Sequence, residues 1–254
     1  HELRTPLTSI RGYAEMFRRG ASERPEDLTT SMRRIEEESA RMGVLVDDLL
    51  LLARLDQGRP LDHRPVDLNR VAADAVADAR AVEPERAITL ETSSAGAVVL
   101  GDELRLRQVA ANLLANARQH TPPTAAVRVG VRRENGSVVL EVADDGPGLL
   151  PEEAAKVFER FYRADPSRNR NQGGTGLGLS IVAAVAAAHG GRARVESVPG
   201  EGARFWVELP SVAPAEGERS DEVHADELVE RSLDVERVRR AFRRRPDGDL
   251  GHHG

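Results

Sequence analysis

The sequence predicts a multi-domain chain of α and α/β class: an antiparallel helical hairpin that dimerises into a four-helix bundle, then a two-layer α/β sandwich, then a disordered charged tail. Three observations carry this. Through residues 1–57 the apolar positions recur at alternating spacings of three and four, the period of helix packed on helix. From about Val66 to Pro210 strand-like and helix-like segments mix in an order that suits a sheet covered on one face. After Pro210 the composition shifts to Ala, Glu, Asp, Ser and Arg with few large apolar residues, too little to offset the entropy of ordering a chain.

In the first helix Leu3, Leu7, Ile10, Ala14 and Phe17 form one stripe, and in the second Leu28, Met32, Ile35, Ser39, Met42, Val46, Leu49 and Ala53 form another. Gly20, Ser22 and Pro25 supply a stop, a cap and a turn between them, so the helices fold back on each other. A lone hairpin buries too little; pairing of two copies covers the remaining stripe, which widens near Leu45, Leu49 and Leu52. At 1.5 Å per residue the second helix should run about 40 Å and the first about 30 Å. That mismatch, and an opening residue that is not Met, predict that the first helix has lost its beginning.

Gln57-Gly58-Arg59-Pro60 breaks the pattern, giving a hairpin domain at 1–57, a linker at 58–65, an α/β domain at 66–210 and the tail at 211–254. Within the α/β domain, helices are expected at Leu68–Val82, Glu103–His120, Glu152–Phe161 and Leu177–His189. Strands are expected at Ala87–Thr92, Val98–Gly101, Val127–Arg133, Val138–Asp144, Ala193–Ser197 and Ala203–Leu209. A charged helix is conceivable at Asp226–Arg245 within the tail.

Composition excludes several classes. No stretch reaches the 18 or so apolar residues of a spanning helix, so this portion reads as soluble. The 254 residues contain no cysteine, which removes disulfide frameworks and thiolate metal sites. A net charge of -6 and 3% aromatics give neither a basic footprint nor stacking platforms, so nucleic acid is not an expected partner. Every basic residue but Lys156 is Arg, a bias of GC-rich bacterial genomes.

Several groups carry candidate chemistry. On the heptad of the first helix, with Leu3 and Ile10 inward, His1, Glu2 and Thr5 fall on the outer face, His1 and Thr5 one turn apart. A neutral imidazole with a pKa near 6.5 is a competent nucleophile, although an exposed His on a helix is ordinarily just solvated. Pro6 removes a helical hydrogen bond and predicts a kink beside the nucleophile. Asn112 and Asn116, one turn apart, offer hard oxygens of the kind Mg²⁺ takes, or else merely cap or touch a loop. Asp144 ends a strand at a turn where Gly146 and Gly148 allow close backbone approach; the plain alternative is an Asp-Gly turn. Gly173 to Gly178 precede a helix whose free N–H groups hold anions. No Lys-Ser or Lys-Thr follows the glycines, and Leu179 and Ile181 stand where a dinucleotide fingerprint needs Gly, so neither familiar phosphate loop fits.

Taken in order, His1-Glu2-Leu3-Arg4-Thr5-Pro6-Leu7, Asn112-Leu113-Leu114-Ala115-Asn116-Ala117, Asp144-Asp145-Gly146-Pro147-Gly148, Phe158-Glu159-Arg160-Phe161-Tyr162-Arg163 and Gly174-Thr175-Gly176-Leu177-Gly178-Leu179 resemble the H, N, G1, F and G2 boxes of two-component sensor histidine kinases. The resemblance spans residues 1–210 and implies a phosphoacceptor hairpin joined to a sandwich of the GHKL ATPase type. It further implies ATP and Mg²⁺ as substrate and cofactor, with His1 phosphorylated, Glu2 handling the ring's other proton, and Thr5 positioning water for dephosphorylation of a partner. Asn116 becomes the Mg²⁺ ligand, Asn112 a nearby phosphate or water contact, Asp144, Gly146 and Gly148 the adenine site, and Gly174, Thr175, Gly176, Leu177 and Gly178 the phosphate loop. The polar run from Arg163 to Gln172 looks like the family's ATP lid, with Arg163 on the γ-phosphate and Phe158 and Phe161 anchoring the lid to the core. A homodimer, a cognate response regulator as phosphoryl acceptor, and a place on the cytoplasmic side of a bacterial inner membrane, reached through segments upstream of His1, complete what the resemblance implies.

One departure stands out: Gln119 occupies a position where many members of the family have Lys or Arg, leaving Arg118 or His120 as substitutes. The nucleotide domain is also similar to ATPases that drive conformational clamps, but those usually carry Glu where Asn112 stands and lack the hairpin. A catalytically inactive regulatory module is the other alternative.

Overall fold

In the computed structural model, residues 3–18, 25–59, 61–93, 96–163 and 175–212 are described. The hairpin consists of α1 (Arg4–Arg18) and α2 (Pro25–Asp56), packed side by side. With 15 and 32 residues, they run about 22 and 48 Å at 1.5 Å per residue, so α2 is longer and α1 shorter than the sequence suggested. The apolar stripe of α1 splits. Pro6, Ile10, Tyr13 and Phe17 turn toward cover, whereas Leu3 and Leu7 stand 41% and 57% exposed. Leu3 is therefore not inward within one chain. Pro6 lies in the first described turn of α1; the carbonyl of Glu2, where the expected kink would fall, lies outside the described residues. Along α2, Met32, Val46 and Leu50 form a matching exposed line at helical spacing.

The α/β domain contains β1 (Arg64–Asp67), α3 (Leu68–Val82), β2 (Ile88–Glu91), β3 (Val98–Gly101), α4 (Glu103–His120), β4 (Val127–Glu134), β5 (Ser137–Asp144), α5 (Pro151–Ala154), α6 (Gly178–Ala188), β6 (Arg192–Val198) and β7 (Gly202–Pro210). Two helices start at side-chain caps. Asp67 accepts from the Asn69 N–H at 2.9 Å and Asp102 from that of Arg105 at 3.2 Å, each satisfying an orphan donor. The main sheet has strand order β2-β4-β5-β7-β6, parallel at β2–β4 and antiparallel elsewhere. Period-2 alternation sends Val127, Val129 and Val131 to one face, where α3, α4 and α6 pack. Leu106, Leu113, Leu177, Ile181 and Leu209 seal that layer, each contributing roughly 1.5–3 kcal/mol by burial. The opposite face is charged: Glu141 pairs with Arg132 and, at 2.7 Å, with Arg204, whose guanidinium also lies over the Trp206 ring. One covered face and one polar face make the expected two-layer sandwich.

Three sequence expectations fail here for local reasons. Strand β1 begins inside the supposed linker, because Arg64–Asp67 finds an antiparallel partner in β3 and forms a separate two-stranded sheet. The helix expected over 152–161 stops at Ala154; the bonds from Lys156 to Glu153, Glu159 to Lys156 and Tyr162 to Glu159 are three-residue turns that bring Val157 and Phe158 in succession against the core. The supposed tail begins two residues too early, since the Ser211 N–H donates to Gly136 and that of Val212 to Val98; residues 213–254, the possible helix included, lie outside the described residues.

His189 is structural. Its Nδ1–H donates to the Val185 carbonyl at 2.8 Å, which leaves Nε2 to accept the Asp102 N–H at 3.0 Å. The buried ring thereby ties the end of α6 to the start of α4. Leu51 and Leu52 of α2 are buried in the same cluster as α6, and Arg160 reaches Asp56 with two contacts of 2.7 and 2.8 Å.

Candidate functional site

The site forms where the strand end at Asp144, the last turns of α4 and the start of α6 meet. Asp144 and Asp145 are adjacent in sequence and opposite in environment. Asp145 sits on the polar face, held by Arg128 at 2.7 and 3.1 Å, and that hydrogen bond keeps its carboxyl below the ordinary range. Asp144 is 6% exposed. Desolvation pushes its carboxyl up, against the backbone bonds from Gly146 and Ala203 and the charge of Arg128, with Asp145 adding to the rise. Because backbone donors engage Asp144 while lone pairs remain, it is a buried acceptor able to take a neutral N–H such as an adenine amine.

Glycine is required around it. At Gly146 an added Cβ would stand 2.5 Å from the Thr121 methyl and 2.7 Å from Asp144 Oδ1; at Gly148, with φ of +67°, it would run into the Val198 carbonyl. The 146–149 loop is stitched to the turn before β7 by Gly200 N–H to Pro147 at 2.7 Å and Leu149 N–H to Ser197 Oγ at 2.8 Å. Gly202, with φ of +100°, presses its backbone on the Asp144 carbonyl. Gly202, Ser197 and Thr121 were not legible as site residues. The Pro199-Gly200-Glu201-Gly202 turn was the one signal that could have pointed to them.

On α4 the two asparagines divide their work. Asn112 donates to the Gly178 carbonyl at 3.1 Å and so fixes the start of α6. Asn116, half-buried one turn later, has no protein partner among the described residues. No group of three or more His, Asp or Glu side chains suited to a metal occurs among the described residues. An isolated amide oxygen fits a cation that takes most of its ligands from phosphate and water, as Mg²⁺ does, and does not fit a protein-caged metal.

At the α6 start Thr175 Oγ1 accepts the Leu177 N–H at 3.3 Å, and Gly178, Leu179 and Ser180 form the first helical turn, whose N–H groups favour an anion. Leu177 is fully buried, so only its backbone can serve a ligand. Gly176, with φ of +71°, packs on the backbone of Phe161, and the Phe161 N–H donates to the Gly176 carbonyl at 3.0 Å. This bond joins the two sides of the 164–174 segment. Phe158 makes an edge-on contact with Phe205, ring centroids 6.4 Å apart. Phe161 does not anchor through its side chain, which is 41% exposed; its φ of +62° commits the backbone instead.

Of the basic candidates, Arg118 is withdrawn: its Nε donates to Glu83 at 2.9 Å. Arg163 is half-buried and lies close enough to His120 that, after desolvation, its charge helps hold that imidazole below the ordinary range. A cation therefore stands near His120 at the last turn of α4. Gln119 is exposed. Thr5 is exposed on α1, while His1, Glu2 and Gly174 lie outside the described residues.

The His Kinase A (phospho-acceptor) domain model matches residues 1–58, and the histidine kinase-, DNA gyrase B- and HSP90-like ATPase model matches residues 101–213. A mycobacterial sensor histidine kinase, MprB, is 31% identical with a TM-score of 0.53, the match covering 58% of this chain and 97% of that one. The chain belongs to the sensor histidine kinases. The probable sensor histidine kinase TcrY of Mycobacterium tuberculosis is 49% identical over 210 residues, 83% of this chain and 44% of that protein. Full-length ShkA, solved in complex with AMPPNP, is 33% identical with a TM-score of 0.64, over 85% of this chain and 45% of that one. This sensor histidine kinase chain spans about half the length of the curated relatives it matches. Among its described residues no helix is long and apolar enough to cross a membrane.

Proposed function

We propose that this chain binds Mg²⁺-ATP between Asp144 and the start of α6 and transfers the γ-phosphoryl group to His1. The observation that carries the reading is the pairing of a buried, backbone-held Asp144 with an Asn116 that has no partner among the described residues and with the α6 N-terminus. One end suits a base and the other suits phosphates. The AMPPNP bound to ShkA, a relative with the same fold, supports this choice of ligand.

In this mechanism Asp144 accepts the adenine amine while Gly146 and Gly148 admit the ring. Asn116 would hold Mg²⁺, which would supply neutralisation of phosphate charge, and Arg163 faces the charge that develops at the γ-phosphate. Nε2 of His1 attacks phosphorus, the bond to the bridging oxygen of the β-phosphate breaks, and ADP leaves with that oxygen. The proton on Nδ1 of the resulting imidazolium passes to Glu2. The phosphohistidine then donates to an Asp of a response regulator, and Thr5, exposed on the same helix, positions water when the regulator is dephosphorylated.

The exposed line of Leu3, Leu7, Met32, Val46 and Leu50 supports a homodimeric four-helix bundle, because two such lines cover each other. The same reading places the chain on the cytoplasmic side of a membrane-anchored sensor.

Incubation with γ-labelled ATP and Mg²⁺ tests the proposal. Acid-labile, alkali-stable label that disappears in His1→Gln and on chelation of Mg²⁺ is the expected result. Label that survives His1→Gln, or none in a chain extended upstream of His1, would overturn it.

A further inference from the structure

Arg86 stands between α3 and β2, outside every motif of the sequence, and is 5% exposed. Burying a guanidinium is costly unless every donor finds an acceptor. Here they do. Nε donates to Glu83, one Nη to Thr121 Oγ1 at 2.8 Å and to the Ala125 carbonyl at 3.4 Å, and the other Nη to the Arg118 carbonyl at 3.4 Å. Burial works to raise the Glu83 carboxyl, yet the bonds and charges of Arg86 and Arg118 hold it below the ordinary range, so the pair is ionised at neutral pH.

An apolar side chain would fill the same space but would not orient Thr121. The Thr121 hydroxyl accepts from Arg86 and donates to the Ala117 carbonyl at 2.7 Å, which fixes its rotamer. The methyl of that rotamer is the atom nearest to where a Cβ on Gly146 would stand, and the Gly146 N–H donates to Asp144 Oδ1 at 2.9 Å. The next stretch is tied down as well: Ala125 N–H bonds to Pro122 and Asp145 N–H to Ala126. A continuous path of contacts thus runs from Arg86 through Thr121 and Gly146 to Asp144.

We propose that Arg86 is a positioning residue for the base end of the nucleotide site, acting through Thr121 on the wall formed by Gly146 and Asp144. It touches no reacting atom. The inference rests on the ATP-binding reading above. Loss of the guanidinium frees the Thr121 rotamer and loosens the Gly146 wall, so recognition of adenine weakens while the phosphate end, built on Asn116 and the α6 start, is unaffected.

The test compares ADP and GDP binding, by competition with a fluorescent nucleotide, in the whole chain and in Arg86→Met, Arg86→Lys, Thr121→Val and Arg86→Met/Thr121→Val. Arg86→Met and Thr121→Val should each weaken ADP about five- to tenfold, the effect of one lost hydrogen bond. GDP should change little, so the preference for adenine narrows by the same factor. Arg86→Lys should recover part of it, and the double variant should lose no more than either single one, as expected for residues in one path. Equal weakening of ADP and GDP, which a merely structural role predicts, or additive losses in the double variant, would overturn the inference. If Arg86→Met does not fold, Thr121→Val decides alone, an unchanged ADP preference being fatal. A parent chain that binds no ADP would instead refute the ATP-binding reading itself.

Discussion

Along α1 and α2 the residues Leu3, Leu7, Met32, Val46 and Leu50 stand exposed, whereas Leu106, Leu113, Leu177, Ile181 and Leu209 of the α/β domain are sealed within one chain. Both regions are read from apolar periodicity, but the period means different things in each. In the sandwich, a strand face and a helix stripe close on each other, and the remaining sheet face is made soluble by the Arg132, Glu141 and Arg204 ladder. In the hairpin, two helices cover only half of each stripe. A site made of backbone turns needs a self-sufficient core, while the hairpin leaves an apolar line that the proposed second copy would cover.

The largest expected effect breaks this comparison on the hairpin side. Burying a Leu contributes about 1.5–3 kcal/mol, and a dimer has two copies, so Leu50→Asp should raise the dimer dissociation constant by more than about 100-fold. Sedimentation velocity over a concentration series reads this, while thermal unfolding of the α/β domain should be unchanged. Equal self-association of parent and variant would remove this face from the proposed seam.

An intermediate effect sharpens the comparison on the sandwich side, and it depends on pH. The folded pKa of Asp144 is raised, so the group adds stability in its protonated form, and that contribution is lost as pH rises through the raised value. Nucleotide binding has the opposite sign, because an adenine amine needs the ionised acceptor. ADP affinity should therefore hold at neutral pH and fall on acidification, beginning above the ordinary aspartate pKa of about 3.9. Asp144→Asn should weaken ADP about ten- to a hundredfold, as for a lost bond to a charged group, and should abolish that acid limb. Titration calorimetry across pH distinguishes the two, and an acid limb that persists in Asp144→Asn would assign it to another group.

Much of this was legible in the sequence because regular elements announce themselves by period. Leu68–Val82, Val98–Gly101 and Glu103–His120 begin and end where the sequence pattern places them. The motif letters likewise singled out Asn112, Asn116 and Asp144, whose roles belong to the proposed function. What periodicity does not encode is partner choice. Four residues at Arg64–Asp67 are a strand only because β3 offers an edge, Phe161 is exposed only because its backbone takes φ of +62°, and Arg118 turns to Glu83 only because Arg86 has placed that carboxylate. Thr121 and Gly202 lie 23 residues before and 58 residues after Asp144 in the chain, so their contribution to its pocket is a long-range contact with no local signature.

The smallest effect concerns the seam between the two regions. Arg160, in the motif before the 164–174 segment, reaches Asp56 at the end of α2, with both side chains about half exposed at 47% and 53%. Exposed pairs of this kind contribute less than about 1 kcal/mol and are screened by salt. The apolar residues Leu51 and Leu52, buried beside α6, should therefore hold α2 to the sandwich, with the ion pair setting orientation at most. A double-mutant cycle on Asp56→Asn and Arg160→Gln, followed by thermal unfolding, should return a coupling below about 1 kcal/mol that disappears in 1 M salt. A coupling above about 2 kcal/mol that resists salt would mean that charge, not burial, joins the open hairpin to the closed sandwich.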